Sequence, residues 1–505
     1  MKRRLKFYNP KINRPTLDQT ISKYRKQSRS KFPLRLLGVG SKELHMTEEE
    51  REVNFHVIGG SRQGKSKFLE YNIRKDIDMG FGLCLIDPSD FGATFNAVLD
   101  YCVSINHQKV CIIDPNTLYD YGSVACIQPL NAQYPTKSAQ SVKDAINLLL
   151  GSSEVATPRI QENLDALLRM LAQENMTLHE TSYFVDYERR EWAGILEQAK
   201  SRDAQIVKEK FKSYGFWKQE FTTTVTRLSA FRNEPVSLMV GGNPGIDFKK
   251  MVDEGWVILC NLFPEPYLDL KTSTFLGILV ISQIINAVDT LNKGGNWGKK
   301  FYLYIDEAGS FATPQIKLLL NNKSKSGLHL IFAHHHFSQF ANQTDVLDAI
   351  NHNTGIKVMF ALRDETDRIK MMKQLGFGSN SQEASERYAH LPVQHAVIMK
   401  NKENAMEVVT PRVDKIQVTD SQRKSYIQER LLDSHYLPKY DIEKQIESRI
   451  KSVTNDTQTV HTPPPIERTV SDRKTDSGAK KTGRKSLLDF GAEAEKFIRD
   501  NKTSE

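Results

Sequence analysis

A glycine-rich turn between an apolar run and a helical stretch is the most constraining feature of this 505-residue chain. The run VNFHVI (53–58) leads into GGSRQGKS, and KFLEY follows. The turn fits G-x-x-x-x-G-K-[ST], in which backbone N–H groups surround phosphates, the lysine neutralises their charge and the hydroxyl ligates Mg²⁺. A chance glycine-rich turn is the alternative. In this context the motif predicts a nucleotide-binding P-loop made of Gly59, Gly60, Ser61, Arg62, Gln63, Gly64, Lys65 and Ser66.

A second motif supplies the acids that phosphate hydrolysis requires. The apolar run FYLYI (301–305) is followed at once by Asp306 and Glu307. The first acid can hold Mg²⁺ through water, and the second can polarise the attacking water. Acids also begin loops and cap helices, so the pair is informative only together with a P-loop. We expect an ATP hydrolase in which Lys65, Asp306 and Glu307 are catalytic and Ser66 and Asp306 serve Mg²⁺.

Short β-branched runs alternate with helical stretches from residue 53 onward. Continuous apolar strands separated by helices indicate a mainly parallel sheet that is buried on both faces, so the predicted fold class is α/β. The runs are VNFHVI (53–58), GLCLID (82–87), KVCIID (110–115), WVILCNL (256–262), KFYLYIDE (300–307), LHLIFA (328–333), IKVMFAL (356–362) and HAVIM (395–399).

One long helical segment interrupts the strands. Leu164, Leu167, Leu168 and Leu171 follow helical spacing, and Thr177–Glu180 fits a capping box. We expect an all-α domain at 131–244, inserted into a core formed by 46–130 and 245–412. A polar helical extension at 413–453 and a disordered Thr/Pro/Lys-rich tail at 454–505 follow. Residues 487–500 fit either a short amphipathic helix or a frayed terminus.

The basic residues are concentrated at the N-terminus. Residues 1–35 hold twelve Lys/Arg and one acid, so this part carries +11 and the rest of the chain −2. We expect a flexible basic arm at 1–45 that contacts nucleic-acid phosphates, anionic lipid or an acidic membrane partner; a solvated tail without a partner is the alternative. The apolar stretch Phe275–Val288 is too short and polar to span a bilayer and predicts a buried helix. Five cysteines without ligand spacing predict a reduced, cytoplasmic protein.

These motifs resemble those of the HerA/FtsK superfamily, and in particular the conjugative coupling proteins of type IV secretion systems (TraD/TraG type). The resemblance covers roughly residues 50–410. It implies a RecA-like motor domain with an inserted all-α domain, which assembles as a homo-hexameric ring around DNA with relaxase or membrane-bound secretion partners. It rests on the P-loop, the acid pair, LIDPSD (85–90), IQPLN (127–131), PRIQENLDALLRML (158–171) and GIDFKKMVDEGWVILCNL (245–262).

The chain departs from this family pattern at three places. The family usually has a γ-phosphate-sensing glutamine where LHLIFAHHHFSQF (328–340) has His335, which we expect either to contact phosphate or to be structural. Neighbouring strand residues face opposite ways, so the three histidines cannot converge on one metal. Ser324 or Lys325 stands where an arginine is common before this strand. No transmembrane segment is seen before the P-loop, where these coupling proteins generally carry one, so we expect a cytoplasmic protein that can be peripheral at the inner face of the membrane.

Ring ATPases complete each site with an arginine from the next subunit. Arg363, directly after IKVMFAL, is the first candidate and Arg227 the second; for Arg363 a surface ion pair with Asp364 or Glu365 is the alternative. The overall prediction is an ATP-driven DNA translocase in conjugative transfer. The alternatives are a secretion ATPase or coupling receptor for protein cargo, and a nucleotide-gated recruitment scaffold.

Overall fold

All eight apolar runs form strands, as the sequence predicts. The computed structural model describes residues 34–38, 43–150, 158–219, 221, 233–295, 297–322, 326–401 and 404–455. Within these ranges the strands are β1 (Leu34–Gly38), β2 (Glu43–Met46), β3 (Asn54–Ile58), β4 (Gly82–Asp87), β5 (Val110–Ile113), β6 (Ser123–Ala125), β7 (Val257–Asn261), β8 (Phe301–Ile305), β9 (Leu328–His334), β10 (Thr354–Met359), β11 (His395–Lys400), β12 (Met406–Val409) and β13 (Tyr436–Pro438).

The α-helices with defined ends lie between and around these strands. They are α1 (Glu48–Arg51), α2 (Lys65–Asp78), α3 (Ala93–Ser104), α4 (Thr117–Tyr121), α5 (Pro135–Leu150), α6 (Pro158–Gln173), α7 (Glu191–Gln198), α8 (Arg202–Phe211), α9 (Val236–Met239), α10 (Phe248–Glu254), α11 (Leu270–Leu291), α12 (Pro314–Asn322), α13 (Thr344–Asn353), α14 (Glu365–Gln374), α15 (Ser381–Arg387), α16 (Asp420–Arg430) and α17 (Lys439–Asn455).

The central part of the main sheet is parallel. In the described residues eleven strands pair in the order β2-β1-β12-β11-β10-β3-β9-β8-β4-β7-β5. Every pairing from β10 to β5 is parallel. Every residue of β4, β7, β8 and β9 is buried, because the strands are covered on both faces. The predicted α/β class is therefore confirmed. The carboxyl ends of β3, β9, β8 and β4 meet at one edge of the sheet.

Four antiparallel strands extend the sheet beyond β10. β11 pairs with β10, β12 with β11, β1 with β12 and β2 with β1, all antiparallel. The sequence pattern included β11 among the parallel strands, but α14 and α15 return the chain to the edge that it left, so β11 runs in the opposite direction. Strand β1 and all of β2 except Met46 lie inside the range 1–45 that was assigned to the arm, so the sheet begins before residue 46. Residues 1–33 lie outside the described part.

The described residues between β6 and β7 are helical or irregular. The four leucines of α6 are buried along one face of the helix. The predicted capping box is confirmed, because Thr177 and Glu180 cap a short 3₁₀-helix, Leu178–Tyr183. This helical segment shares a hydrophobic core with the sheet. Lys137 on α5 also forms a 3.2 Å ion pair with Asp289 on α11.

The C-terminal extension packs back on both parts of the molecule. On α16, Arg423 pairs with Asp100 of α3 at 2.9 Å. Strand β13 pairs with β6 in a separate two-stranded sheet. On α17, the Arg449 Nε donates to Glu180 Oε1 of the helical segment at 2.7 Å. The predicted tail lies outside the described residues from 456 onward, as does the predicted helix at 487–500.

Helix α11 contains the apolar stretch that the sequence predicted to be buried. It has 22 residues and a mean hydropathy of 1.6 in its most apolar window, so by length and composition it could span a membrane. The helix extends beyond the predicted stretch, Phe275–Val288, at both ends. Most of that window is nevertheless buried inside the protein, which is typical of a core helix. All five cysteines are buried and free, in line with the predicted reduced state.

Candidate nucleotide-binding site

The loop between β3 and α2 has the backbone that a P-loop requires. Gly64 has φ 112°, in the left-handed region that favours glycine, and a Cβ there would lie 3.2 Å from Cα of Gln394. The Gly59 N–H donates to the His334 carbonyl at 3.2 Å, and the Gly60 N–H donates to the Ala361 carbonyl at 2.8 Å. These bonds tie the loop to the ends of the neighbouring strands. The first N–H groups of α2 have no intrahelical acceptor and suit an anion.

A cavity of about 640 Å³ lies over this loop. Its size is in the range of small-molecule sites. Most of the residues that line it are polar or charged, which suits a phosphate-bearing ligand. They are Gly60, Ser61, Arg62, Gly64, Lys65, Ser66, Lys67, Ser89, Asp306, Glu307, His335, Val393 and Gln394.

Lys65 is a buried cation that faces both predicted acids. Its Nζ lies 3.2 Å from Asp306 Oδ1 and 3.6 Å from Glu307 Oε1. The residue is only 3% exposed, and Nζ makes no hydrogen bond of acceptable angle to these carboxylates or to the other described residues. A buried ammonium in this state gains from an anionic acceptor. The structure therefore brings together three of the four residues predicted to be catalytic, and Arg363 is the fourth.

Glu307 is held in place by donors on both carboxylate oxygens. Its backbone is left-handed, with φ 50°. Oε1 lies 2.7 Å from His335 Nε2, and Oε2 accepts from Gln339 Nε2 at 2.6 Å. Burial raises the pKa of Glu307, but the bond from His335, the charge of Lys65 and the bond from Gln339 together lower it to about 2. The carboxylate is thus ionised, and each of its two oxygens has a hydrogen-bond partner.

His335 lines the cavity and bridges the P-loop to Glu307. Its Nδ1 lies 2.9 Å from the Gly59 carbonyl oxygen, so both ring nitrogens face acceptors. Only the doubly protonated ring can donate to both. The hydrogen bond to Glu307 accordingly raises the pKa of His335, against opposing effects of burial and of Lys65. His334 is buried and His336 is exposed, so the three histidines do not converge.

Asp87, in the predicted LIDPSD turn, adds a third carboxylate near the acid pair. It accepts from the Phe95 N–H at 2.8 Å and from the Ser89 hydroxyl at 2.9 Å. Burial and the neighbouring charge of Asp306 raise the pKa of Asp87 to about 6. Asp87 thereby holds Ser89, which lines the cavity, at the end of β4. Neither residue was predicted to be part of the site.

Other residues of the cavity were also missed from sequence. Val393 and Gln394 come from the loop before β11, far from the P-loop in the chain, and the Gln394 N–H donates to the Gln63 carbonyl at 2.9 Å. Val393 is 59% exposed and adds an apolar surface to the cavity. No motif marks this loop. Gln339, which contacts Glu307 but does not line the cavity, was not predicted either, although its side-chain amide stands four residues after His335 in the motif HHHFSQF.

Some predicted site residues lie apart from the cavity. Gly59 and Gln63 do not line it and contribute through their carbonyl groups. Arg363 is exposed after the carboxyl end of β10 and does not line it either. In the described part of the chain it forms no ion pair with Asp364 or Glu365. Its role as a trans-acting arginine remains a prediction. Arg227, Ser324 and Lys325 lie outside the described residues.

The oxygen ligands for Mg²⁺ are few, as is usual for a nucleotide-bound magnesium ion. Ser66 lines the cavity and Asp306 is buried beside it. Among the described residues no group of three His, Cys, Asp or Glu side chains could hold a metal ion. Mg²⁺ usually takes one or two carboxylates and completes its shell with phosphate and water. Ser66 and Asp306 fit this pattern.

Comparison with known proteins identifies the fold. No protein-family model matches the sequence, and no curated protein matches it. Solved structures do match. The plasmid coupling protein TrwB with a non-hydrolysable ATP analogue aligns at a TM-score of 0.59 and 14% identity, over 83% of this chain and 98% of that chain. TrwB with ADP and Mg²⁺ gives 0.55 and 13%, over 82% and 97%.

A second protein aligns almost as well. VirB4 of Thermoanaerobacter pseudethanolicus gives a TM-score of 0.53 and 14% identity, over 78% of this chain and 98% of that chain. The chain therefore has the RecA-like P-loop fold of these proteins. This confirms, at the level of fold, the resemblance inferred from the motifs.

Proposed function

We propose that this chain is a motor ATPase that couples Mg²⁺-dependent ATP hydrolysis to DNA movement in conjugative transfer through a type IV secretion system. One observation carries the ATPase part: the buried Lys65 ammonium faces Asp306 and Glu307 inside the P-loop cavity, at 3.2 and 3.6 Å. Cation, metal-binding acid and general base are the three groups that phosphoryl transfer to water needs in one place.

Each residue has a distinct task in this reaction. Lys65 binds the β- and γ-phosphates, and the N–H groups at the start of α2 add positive potential. Ser66 and Asp306 hold Mg²⁺, which neutralises phosphate charge when it is bound. Glu307 orients water and accepts its proton. His335 is placed to donate a hydrogen bond to phosphate once it releases Glu307.

The nucleotide assignment is supported by the proteins that share the fold. TrwB binds a non-hydrolysable ATP analogue and also ADP with Mg²⁺. The charge and size of the cavity suit the same ligands here. ATP and Mg²⁺ are therefore the proposed substrate and metal.

The proposed cargo is DNA, held by its phosphates rather than by its bases. TrwB is a plasmid coupling protein. The +11 charge of residues 1–35 suits a polyanion or an acidic partner. We further propose a homo-hexameric ring that works at the inner face of the membrane with a relaxase or membrane-bound secretion partner.

A secretion ATPase or coupling receptor for protein cargo is the second candidate, since the fold is shared with VirB4 as well as with a plasmid coupling protein. Such an enzyme would hydrolyse ATP without stimulation by DNA. A nucleotide-gated scaffold would bind ATP and turn it over negligibly.

The deciding experiment is the ATPase rate of the full chain with no DNA, single-stranded DNA and double-stranded DNA. Glu307→Gln is the control for contaminating activity. Stimulation by DNA that Glu307→Gln abolishes supports the translocase. Turnover that is indifferent to DNA moves the assignment to protein cargo, and an absence of turnover moves it to the scaffold.

A further inference from the structure

The amide of Gln339 bridges the two loops that carry the acid pair and His335. It lies in the short 3₁₀-helix Phe337–Phe340 that follows β9. Its Oε1 accepts from the backbone N–H of His335 at 2.7 Å and faces that of His336 at 3.4 Å. Because Oε1 faces these donors, Nε2 is the atom that faces Glu307. The orientation of the amide is thereby fixed.

The position of Gln339 is fixed by its neighbours as well. A Cβ built on Gly309 would lie 2.6 Å from both Cβ and the carbonyl oxygen of Gln339. The loop after β8 therefore packs directly against the 3₁₀-helix at a glycine. Gln339 itself does not line the cavity. Direct contact with a nucleotide is therefore not its task.

The two oxygens of Glu307 differ in their surroundings. Oε2 accepts a hydrogen bond from Gln339 Nε2 at 2.6 Å. Oε1 lies 2.7 Å from His335 Nε2 and 3.6 Å from Lys65 Nζ, and both of these residues line the cavity. One oxygen is thus tied to the protein framework, and the other points to where phosphate would bind.

We propose that Gln339 is a positioning residue for hydrolysis: it anchors Oε2 of Glu307 so that Oε1 is the oxygen presented to the attacking water. The inference rests on the proposed ATPase function. His335 contacts Oε1, and the hydrogen bond from Gln339 to Oε2 would hold the carboxylate in the same orientation if His335 turned away toward phosphate. A carboxylate without this anchor rotates about its last side-chain bond and presents either oxygen. A displacement of about 1 Å at such a group can cost roughly 100-fold in rate.

The test compares Gln339→Leu and Gln339→Glu with the parent and with Gln343→Leu, a matched control outside the site. Both Gln339 variants should lower kcat by roughly 100-fold, while the dissociation constant for a fluorescent ATP analogue changes by less than about 3-fold. The control should match the parent in both measurements. A Gln339→Leu protein that retains kcat, or that loses affinity as much as kcat, overturns the proposal.

A second readout is independent of turnover. In nucleotide-free protein, Gln339→Glu places two carboxylates face to face and should lower the thermal midpoint. In the double variant that also carries Glu307→Gln, the amide and the carboxylate have exchanged places, so the hydrogen bond between them can form again. The thermal midpoint should therefore recover, while hydrolysis stays abolished. Additive midpoint shifts overturn the proposal. If the parent binds but never hydrolyses ATP, the proposed function fails with it; if the parent and both Gln339 variants hydrolyse equally, only the Gln339 role fails.

Discussion

Glu307 and His335 form a hydrogen-bonded ion pair, with 2.7 Å between Oε1 and Nε2. The other ring nitrogen, Nδ1, lies 2.9 Å from the Gly59 carbonyl oxygen, and two facing acceptors favour the doubly protonated ring. The residue that stands where the family that the motifs resemble usually has glutamine therefore contacts Glu307, the proposed general base. Its contact with phosphate remains a prediction.

Removing the carboxylate of Glu307 should separate binding from hydrolysis. We expect Glu307→Gln to lower kcat by roughly 10²–10⁴-fold, the usual contribution of a general base, and to leave ATP affinity nearly unchanged. Steady-state kinetics and analogue titration measure the two quantities. Glu407→Gln is a matched control, since Glu407 also pairs with a histidine, His395, at 3.0 Å on β11–β12. Equal losses in both variants would contradict the assignment.

Removing the buried cation should abolish nucleotide binding. We expect Lys65→Ala to weaken ATP-analogue binding by at least roughly 100-fold, since the site loses a desolvated charge and three carboxylates near it remain. Lys75→Ala, on the exposed end of the same helix, should bind like the parent. Normal binding and hydrolysis by Lys65→Ala would refute the P-loop assignment.

Arg363 can be tested by mixing subunits. If it completes a neighbouring site, Arg363→Ala should lower kcat by about 10³-fold or more. A mixture of Arg363→Ala with Lys65→Ala should regain part of the activity, because one mixed interface holds an intact Lys65 and an intact Arg363. Arg412→Ala, a highly exposed arginine, serves as control. Full activity of Arg363→Ala would direct attention to Arg227.

Two stacked histidines behind the site should make stability depend on pH. The Nε2 atoms of His56 and His334 lie 2.7 Å apart. Burial and the charge of Lys357 lower the pKa of His56 to about 3, and burial also lowers that of His334. The unfolded chain binds protons at His56 below about pH 6.5, whereas the folded chain does not until about pH 3. This contribution to stability is therefore complete above pH 6.5 and is lost as the pH falls.

The measurement is the urea midpoint at pH 7.5 and pH 5. His56→Gln should lose less stability between these two values than the parent does. His390→Gln, at an exposed position, should behave like the parent. Identical pH dependence in all three proteins would show that His56 does not carry the effect.

The arm should set the salt dependence of DNA binding. Residues 1–33 hold eleven lysines and arginines, and their removal leaves β1 intact. Each DNA phosphate that the shortened chain no longer neutralises should reduce the slope of log affinity against log salt by about 0.7–0.9. Anisotropy titrations at several salt concentrations measure the slope. An arm of the same length with glutamine in place of the basic residues separates charge from chain length, and an unchanged slope would make the arm a bystander.

The sequence predicts those parts of the site whose geometry is local. The P-loop and the acid pair are each a strand followed by a few residues, so the motifs place Lys65 at the start of α2 and Asp306 and Glu307 directly after β8. The parallel order of the strands then brings them together. The eight apolar runs were enough to predict the fold class because each run is also a local feature of the sequence.

Features that depend on chain direction or distant packing were not accessible. Periodicity is the same for a parallel and an antiparallel strand, so β11 was placed in the wrong direction. Strands β1 (LRLLG) and β2 (ELHM) are short, and β1 joins the sheet only by pairing with β12, which is distant in the sequence, while β2 pairs with β1. Val393 and Gln394 reach the cavity through a loop without a signature. Gln339 acts through Glu307, and no spacing rule links the two residues.

In the antiparallel extension a chain of backbone hydrogen bonds connects strand β1 to the P-loop. Leu37 pairs with Val409 across β1 and β12, and the next residue, Thr410, donates its N–H to the Gln394 carbonyl at 2.8 Å. Gln394 in turn donates to the Gln63 carbonyl. Ladder bonds in such a pair stand perpendicular to the strands, so a pull along β1 loads them together. A pulling force on the chain before Leu34 would therefore be transmitted to the P-loop through these backbone hydrogen bonds, and not through the side chains of Lys65, Asp306 or Glu307.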